Sequence, residues 1–373
     1  MEKEVRQIGL FVPAWWPCSF FEEQQAVYAS EYELFNLYGT CRWIPQREQI
    51  VHLLSFRSFK RVEFHAEKKS LRVNVQCAKF RSAKKTSRAI TNISEEIGHL
   101  ILKATDDVIP SFIYIQSRSD VAIFVAEWAR RNNIKIILAE HILYIRHEIS
   151  YISRRIEDLF STADQIFCVS NYLYRNLLTS GLAHRNVRVI GNLVNDYAVP
   201  GDWSKLVKNG RIMFVAGHVH DKDITTLFAV ANQLQSQSLN IDIFGLTGNE
   251  CINGKRLLDI VGTNVSFMGK KSHNELLQQY SSYSLLVSTS ISETFGLSVA
   301  EAIAHGTPVV CTDSGGIRDF VNNQNGYVVG IRDVDELEEY ISKALEEHWD
   351  YQRMSNDILK QYGKVVYHEK CMI

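Results

Sequence analysis

Residues 289–321 read TSISETFGLSVAEAIAHGTPVVCTDSGGIRDFV. Two carboxylates, Glu293 and Glu301, stand eight positions apart, with a Phe-Gly-Leu turn (Phe295, Gly296, Leu297) just after the first. From Ser298 to His305 the chain favours helix through Ala300, Glu301, Ala302 and Ala304. Gly306-Thr307-Pro308 then stops it in the usual glycine-before-proline order. Glu293 is therefore expected on a loop at the mouth of a helix, and Glu301 about two turns inside it. The N–H groups at the helix start and around Gly296 form a site for a phosphate, and a carboxylate on each side accepts hydrogen bonds from hydroxyls. The combination suits a ligand carrying both, such as a nucleotide sugar. Two glutamates at this spacing would by themselves equally describe a solvated loop and a solvated helix. The weight comes from the Phe-Gly-Leu turn, the A-x-x-x-G-x-P-V-V run and the Gly315-Gly316 turn standing in register with them.

The whole chain bounds this reading. Its 373 residues suffice for about two domains with substantial cores, and 46% apolar content is that of a globular protein. A net charge of −1 gives no general attraction to nucleic acid, yet Arg57 to Arg88 holds eleven Lys or Arg against Glu63 and Glu67. This basic region, 57–88, reads either as a solvated surface or as a face for anionic lipid headgroups or a phosphate-bearing acceptor. Its aromatics, Phe59, Phe64 and Phe80, are too sparse for base stacking, so no nucleic acid partner is expected. Seven scattered cysteines without a C-x-x-C suggest reduced thiols and no zinc site. The start, MEKEVRQIGLFVPAWWP, has only a short apolar run before Pro13, and no stretch approaches 18 uninterrupted apolar residues. The expectation is a soluble, cytoplasmic protein.

Short apolar runs at Ile8–Val12, Phe112–Ile115, Lys135–Leu138, Gln165–Val169 and Val187–Ile190 alternate with helix-length segments, the pattern of a parallel sheet with crossover helices. Asn195 to Gly210 mixes Asp, Pro, Gly, Ser and Lys without periodicity and reads as a linker. A second series of strands follows at Arg211–Ala216, Ile241–Gly245, Val265–Gly269 and Ser284–Thr289. The division is an N-terminal domain 1–196, a linker 197–209, a C-terminal domain 210–353 and a terminal helix 354–373 with a kink at its Tyr-Gly-Lys stretch. Ligands of such sheets sit beyond the carboxyl ends of the strands.

The segment 289–321 resembles the group 1 glycosyltransferases, the retaining family with the GT-B fold. Glu293, Phe295, Gly296, Leu297 and Glu301 match its E-x-F-G-L-x-x-x-E pattern. The resemblance runs from about residue 8 to the end and is strongest over 211–330. It implies an α/β architecture of two Rossmann-like domains with parallel sheets facing a central cleft, and a terminal helix that crosses back to the first domain. In the first domain Ala139-Glu140-His141 resembles the family's T-E-H, implying that His141 lies beside the donor sugar. DQIFCVSN (164–171) and VIGNLVN (189–195) resemble further family runs. Trp15 and Trp16 stand where the family often carries Gly-Gly, leaving an aromatic surface for a sugar face or for packing. Gln116-Ser117-Arg118 replaces an H-x-H, leaving Arg118 as a contact for an anionic acceptor. In the second domain Gly217-His218-Val219-His220-Asp221-Lys222 stands for the family's V-G-R-L-x-x-x-K. Lys222 matches, while His218 replaces a forked, permanently charged Arg.

These residues imply a retaining transfer of a sugar from a nucleotide-diphosphate sugar to a hydroxyl of a glycan or lipid-linked glycan, as in surface polysaccharide biosynthesis at the inner face of a membrane. Glu293, Lys222 and His141 are the candidate catalytic residues. Glu301, Gly217, His218, Phe295, Gly296, Leu297 and Gly245 are the candidate donor-binding set, and Trp15, Trp16 and Arg118 lie on the acceptor side. No D-x-D at a strand end and no clustered ligand set appears in the sequence, so neither cofactor nor metal is expected. The alternative is a catalytically silent partner or glycan-binding subunit, to which His218, the missing Gly-Gly and the absent H-x-H point.

Overall fold

A computed structural model describes residues 9–13, 50–55, 62–65, 72–77, 95, 97–99, 101–102, 109–116, 118, 120–144, 151–183, 186–216 and 222–371. The chain divides into two compact units, Met1–Ile190 and Gly191–Ile373.

In the first unit the strands are β1 (Gly9–Pro13), β2 (Ile50–Ser55), β3 (Val62–His65), β4 (Arg72–Cys77), β5 (Phe112–Gln116), β6 (Lys135–Glu140), β7 (Gln165–Cys168) and β8 (Val187–Val189). They form one sheet in the order β3-β4-β2-β1-β5-β6-β7-β8, parallel except for the antiparallel edge pair β3/β4. Helices α1 (Asp120–Arg131), α2 (Tyr151–Thr162) and α3 (Asn171–Thr179) belong to the crossovers. Ile113, Ile115, Ile136, Ile137, Leu138, Ile166 and Phe167 are buried, as continuous apolar runs of a parallel sheet must be when helices cover it. Val125, Ala129, Leu159 and Phe160 from α1 and α2 are buried too. Ser170 caps α3 by accepting from the Leu173 amide at 3.0 Å. Strands β2 to β4 were not anticipated; β3 and β4 fall inside the basic region and make its edge of the sheet.

In the second unit the chain runs β9 (Ile212–Val215), α4 (Ile224–Leu234), β10 (Ile241–Phe244), a small hairpin β11 (Cys251–Ile252) and β12 (Lys255–Arg256), then β13 (Val265–Gly269) and α5 (His273–Tyr280). It continues through β14 (Leu285–Ser288), α6 (Leu297–Ala304), β15 (Val309–Thr312), β16 (Gly326–Val329), α7 (Val334–Glu346), α8 (Tyr351–Tyr362) and α9 (Lys364–Cys371). The sheet order is β13-β10-β9-β14-β15-β16, all parallel. Ile212, Phe214, Ile224, Leu227, Ile243, Leu285, Val287 and Val310 fill its core. The strand order reverses between β9 and β14, and at such a switch point the flanking connections diverge and leave a crevice at the carboxyl ends. The loops after β9 and β14 carry Lys222 and Glu293. The terminal helix breaks where the sequence suggests: α8 ends at Tyr362, Gly363 is extended, and α9 restarts at Lys364.

Residues 197–209, expected as a linker, carry one short 3-10 turn at Trp203–Lys205 and lie against the second unit. The Trp203 ring meets Gly306. The Lys208 ammonium donates to the Ser281 and Gly306 carbonyls at 2.9 and 2.8 Å and lies over the Tyr351 ring. Among the described residues no helix is long and apolar enough to cross a membrane.

Candidate donor site and its relatives

Glu293 sits on the loop between β14 and α6, as the sequence predicts. Its backbone is fixed before its side chain acts. The Glu293 amide donates to the Ser314 carbonyl at 2.7 Å, and the Glu293 carbonyl accepts from the Gly316 amide at 2.8 Å. This isolated parallel bridge joins Glu293 to Gly315, so the Gly-Gly turn serves as the lateral support of the Glu293 loop. The Glu293 carboxylate pairs with the Lys222 ammonium and accepts from the Ser290 hydroxyl at 2.9 Å. Both members of the pair are largely shielded, with side chains 18% and 21% exposed for Glu293 and Lys222. Partial burial strengthens their attraction over that of a surface pair. Lys222 is held in turn by Thr289, whose hydroxyl lies 2.7 Å from the Lys222 carbonyl and 3.0 Å from that of Asp223 and donates between them.

Gly296 caps α6 at φ +88°, and a Cβ there would also lie 2.6 Å from a methyl of Ile317. Glycine is therefore required on both counts. The tight cap leaves Leu297 and Ser298 at the open end of the helix, where the first amides have no intrahelical acceptor. Phe295 corrects the expectation that it touches the donor. Its ring is fully buried, 5.2 Å from that of Phe320 and 5.1 Å edge-on to that of Tyr362. An aromatic ring gains more from that packing than from facing water, so Phe295 anchors the loop from below. Beneath the pair, burial first and the Glu293 charge second push the Cys311 thiol up, so it stays protonated and brings no nucleophile to the site.

Glu301 lies in α6 and is 3% exposed. Its carboxylate meets His273 Nε2 at 2.7 Å and accepts from the Tyr280 hydroxyl at 3.4 Å, both from α5. His273 is raised above its ordinary value of 6.5: burial pulls it down, but the hydrogen bond and charge of Glu301 together outweigh that. Gly245 ends β10 at φ +94°, its amide donating to the Gly269 carbonyl at 2.8 Å. A Cβ there would sit 1.9 Å from the Ala216 oxygen, so only glycine lets β10 and β9 end side by side. In the next loop the Glu250 carboxylate accepts from the Thr247 and Gly248 amides at 3.0 and 2.9 Å.

In the first unit His141 follows β6 and is half-buried. Its amide and that of Ile142 both donate to Glu140 Oε1 at 2.9 Å. Arg118 receives a different task from the acceptor contact expected of it. Its guanidinium pairs with Glu140 at 3.1 Å and donates to the Ile142 and Leu143 carbonyls at 2.9 and 2.6 Å. It thereby ties down the segment that carries His141. Glu140 is fully buried, which is what draws the arginine inward. Gly217, His218, Trp15 and Trp16 lie outside the described residues, as does most of 57–88. Sequence reading missed Asp223, His273, Glu140, Ser290 and Thr289. Only the Ser-x-x-Glu capping box Ser272/Glu275 at the start of α5 was a local sign that His273 opens a helix.

The second unit thus sets a lysine after β9 against a glutamate before a glycine-capped helix, at the carboxyl ends of a six-stranded parallel sheet. Residues 202–361 match the family model described as Glycosyl transferases group 1. Through this segment the chain is similar to that family. The fold is the GT-B fold. A glycosyltransferase from Rickettsia africae superposes with a TM-score of 0.72 at 15% identity, covering 98% of this chain and 97% of that one. HepE from Anabaena, crystallised with UDP and glucose, gives 0.67 at 15% identity over 98% of both chains. An uncharacterized glycosyltransferase of Methanocaldococcus jannaschii is 27% identical over 219 residues, 57% of this chain and 58% of that protein. The GtfA subunit of the UDP-N-acetylglucosamine–peptide N-acetylglucosaminyltransferase of Streptococcus pneumoniae is 34% identical over 110 residues, 28% of this chain and 21% of the subunit. The matches thus span little more than half of the first relative's length and about a fifth of the second's.

Proposed function

We propose that the chain is a retaining, metal-independent glycosyltransferase that moves a sugar from a nucleoside-diphosphate sugar to a hydroxyl of a glycan or lipid-linked glycan. The observation that carries this is the Lys222–Glu293 pair beside the open N-terminus of α6. Breaking the anomeric bond develops negative charge on the leaving diphosphate, which fixed donors must meet without reorganising. Lys222 and the amides from Gly296 and Leu297 supply them, and their positive charge does the work a metal would otherwise do. Glu293, released from Lys222 as the diphosphate competes for the ammonium, orients the transferred sugar. Glu301 accepts from the ribose hydroxyls. Attack comes from the face the leaving group departs from, with a leaving-group oxygen taking the acceptor's proton, so no separate base is assigned. The basic region 57–88 fits an acceptor presented at an anionic membrane surface on the cytoplasmic side.

The test is titration calorimetry of the EDTA-treated protein with UDP and GDP; the complex of HepE with UDP makes UDP the first choice. Saturable binding of one of them, lost in Lys222→Ala and weakened in Glu301→Ala, is the expected result. A folded protein that binds neither would overturn the transferase reading and leave a silent subunit of a larger assembly.

A further inference from the structure

Six described non-glycine residues have positive φ: Asn133, Ala198, Asp223, Ser238, Asn253 and Arg332. Two of them, Asp223 at +42° and Arg332 at +62°, are joined by an ion pair, Arg332 Nε to Asp223 Oδ2 at 3.1 Å. Backbone held in this region is strained for a side chain of that size and persists where the surroundings demand it. The two residues come from different loops, Asp223 from the start of α4 and Arg332 from the turn between β16 and α7. Asp223 follows Lys222 directly, so its Cα lies about 3.8 Å from that of the lysine.

The surroundings of Asp223 show what the pair does. Its side chain is only 9% exposed and does not cap α4. It turns instead to the Thr226 hydroxyl at 2.8 Å and to Arg332, whose side chain is 67% exposed. Arg332 therefore supplies the countercharge of a carboxylate that is nearly out of water. Thr289 holds Lys222 and Asp223 by their backbone carbonyls. Lys222 is thus seated between a hydroxyl clamp on its backbone and an ion pair one residue on.

We propose that Arg332 is a positioning residue of the donor-phosphate site, acting through Asp223 to fix the backbone from which Lys222 reaches Glu293. Its consequence for ligand binding rests on the donor-site reading above. Arg332 need not touch the ligand. It gives up a relaxed backbone to lock the lysine segment from a loop that carries no other part of the site.

The decisive variant is Arg332→Gly, because glycine accepts φ +62° and removes the guanidinium without adding strain. Its melting temperature is expected to stay near that of the wild type, the relieved backbone offsetting what the unpaired Asp223 carboxylate costs. Hydrogen exchange of the ligand-free protein should quicken about tenfold or more at the amides from Asp223 to Phe228 and stay unchanged at α7 and α8. Against UDP and UMP, the variant should lose about tenfold or more of the wild type's preference for the diphosphate, since a lysine displaced by a fraction of an ångström misses the second phosphate. Arg332→Lys should recover most of both effects, and Asp223→Asn should reproduce them without adding to Arg332→Gly. Wild-type exchange rates in Arg332→Gly would overturn the proposal. So would an unchanged UDP-to-UMP ratio, or equal weakening of both nucleotides. If the wild-type protein binds no nucleoside diphosphate, the transferase reading fails and the exchange experiment alone decides whether Arg332 locks the Lys222 segment.

Discussion

Glu293 and Glu301 carry the same functional group on one short segment, yet the fold treats them in opposite ways. Glu293 stands on a loop whose backbone is pinned to Ser314 and Gly316, and its carboxylate faces a mobile kind of partner, the Lys222 ammonium. Glu301 stands in a helix whose neighbours are all buried, and its carboxylate meets a histidine and a tyrosine from α5. The first pair can open when a competing anion arrives, because both partners reach solvent. The second cannot open without exposing a buried charge to apolar surroundings. On the proposed function, chemistry and recognition are thus separated along a few residues by how far each carboxylate is withdrawn from water.

The largest effect that tests this separation is expected at Glu293. Glu293→Gln keeps the shape but not the charge, and kcat for sugar transfer should fall about 10²–10³-fold. Its unfolding free energy should stay within about 1 kcal/mol of the wild type, as measured by urea denaturation, because the loop is held by backbone bonds. Glu301→Gln should invert the pattern. Stability should drop by about 1–3 kcal/mol as the buried hydrogen bonds to His273 and Tyr280 weaken, and the nucleotide should bind more weakly with a milder loss of kcat. Equal stability losses in the two variants would break the comparison.

The smallest effect sharpens it. His273 has its folded value raised above 6.5 by Glu301, so its protonated form stabilises the fold fully below that value. This contribution disappears as pH rises through the raised value. The melting temperature of the wild type should therefore decline over that window, and His273→Gln should flatten the decline. A variant that follows the wild-type curve would show that Glu301 does not depend on its histidine.

Much of this was legible in the sequence because it is local. The strand runs, the Phe-Gly-Leu turn, the helix stop at Gly306 and the break at Gly363 are each decided by a few consecutive residues. Lys222 and Glu293 could be named because each follows a strand of recognisable pattern, but that they pair is a property of the switch point between β9 and β14. Phe295 shows the limit from the other side: adjacency to a site residue does not say whether a ring faces outward or into the core. Arg118, Asp223, His273 and Arg332 were read otherwise or passed over because their partners lie far along the chain. Nothing in GIRD (330–333) marks Arg332 until the fold sets it against Asp223.

Trp203 and Lys208 decide where the second half of the molecule can be separated from the first. A fragment beginning at Arg211 would contain the whole six-stranded sheet but would leave an open slot against Gly306 and two carbonyls stripped of their cation. One beginning at Asp202 would keep both. The severable seam for dissecting the protein by recombinant truncation or limited digestion therefore falls ahead of Trp203, in a stretch whose composition alone would have put the cut behind it.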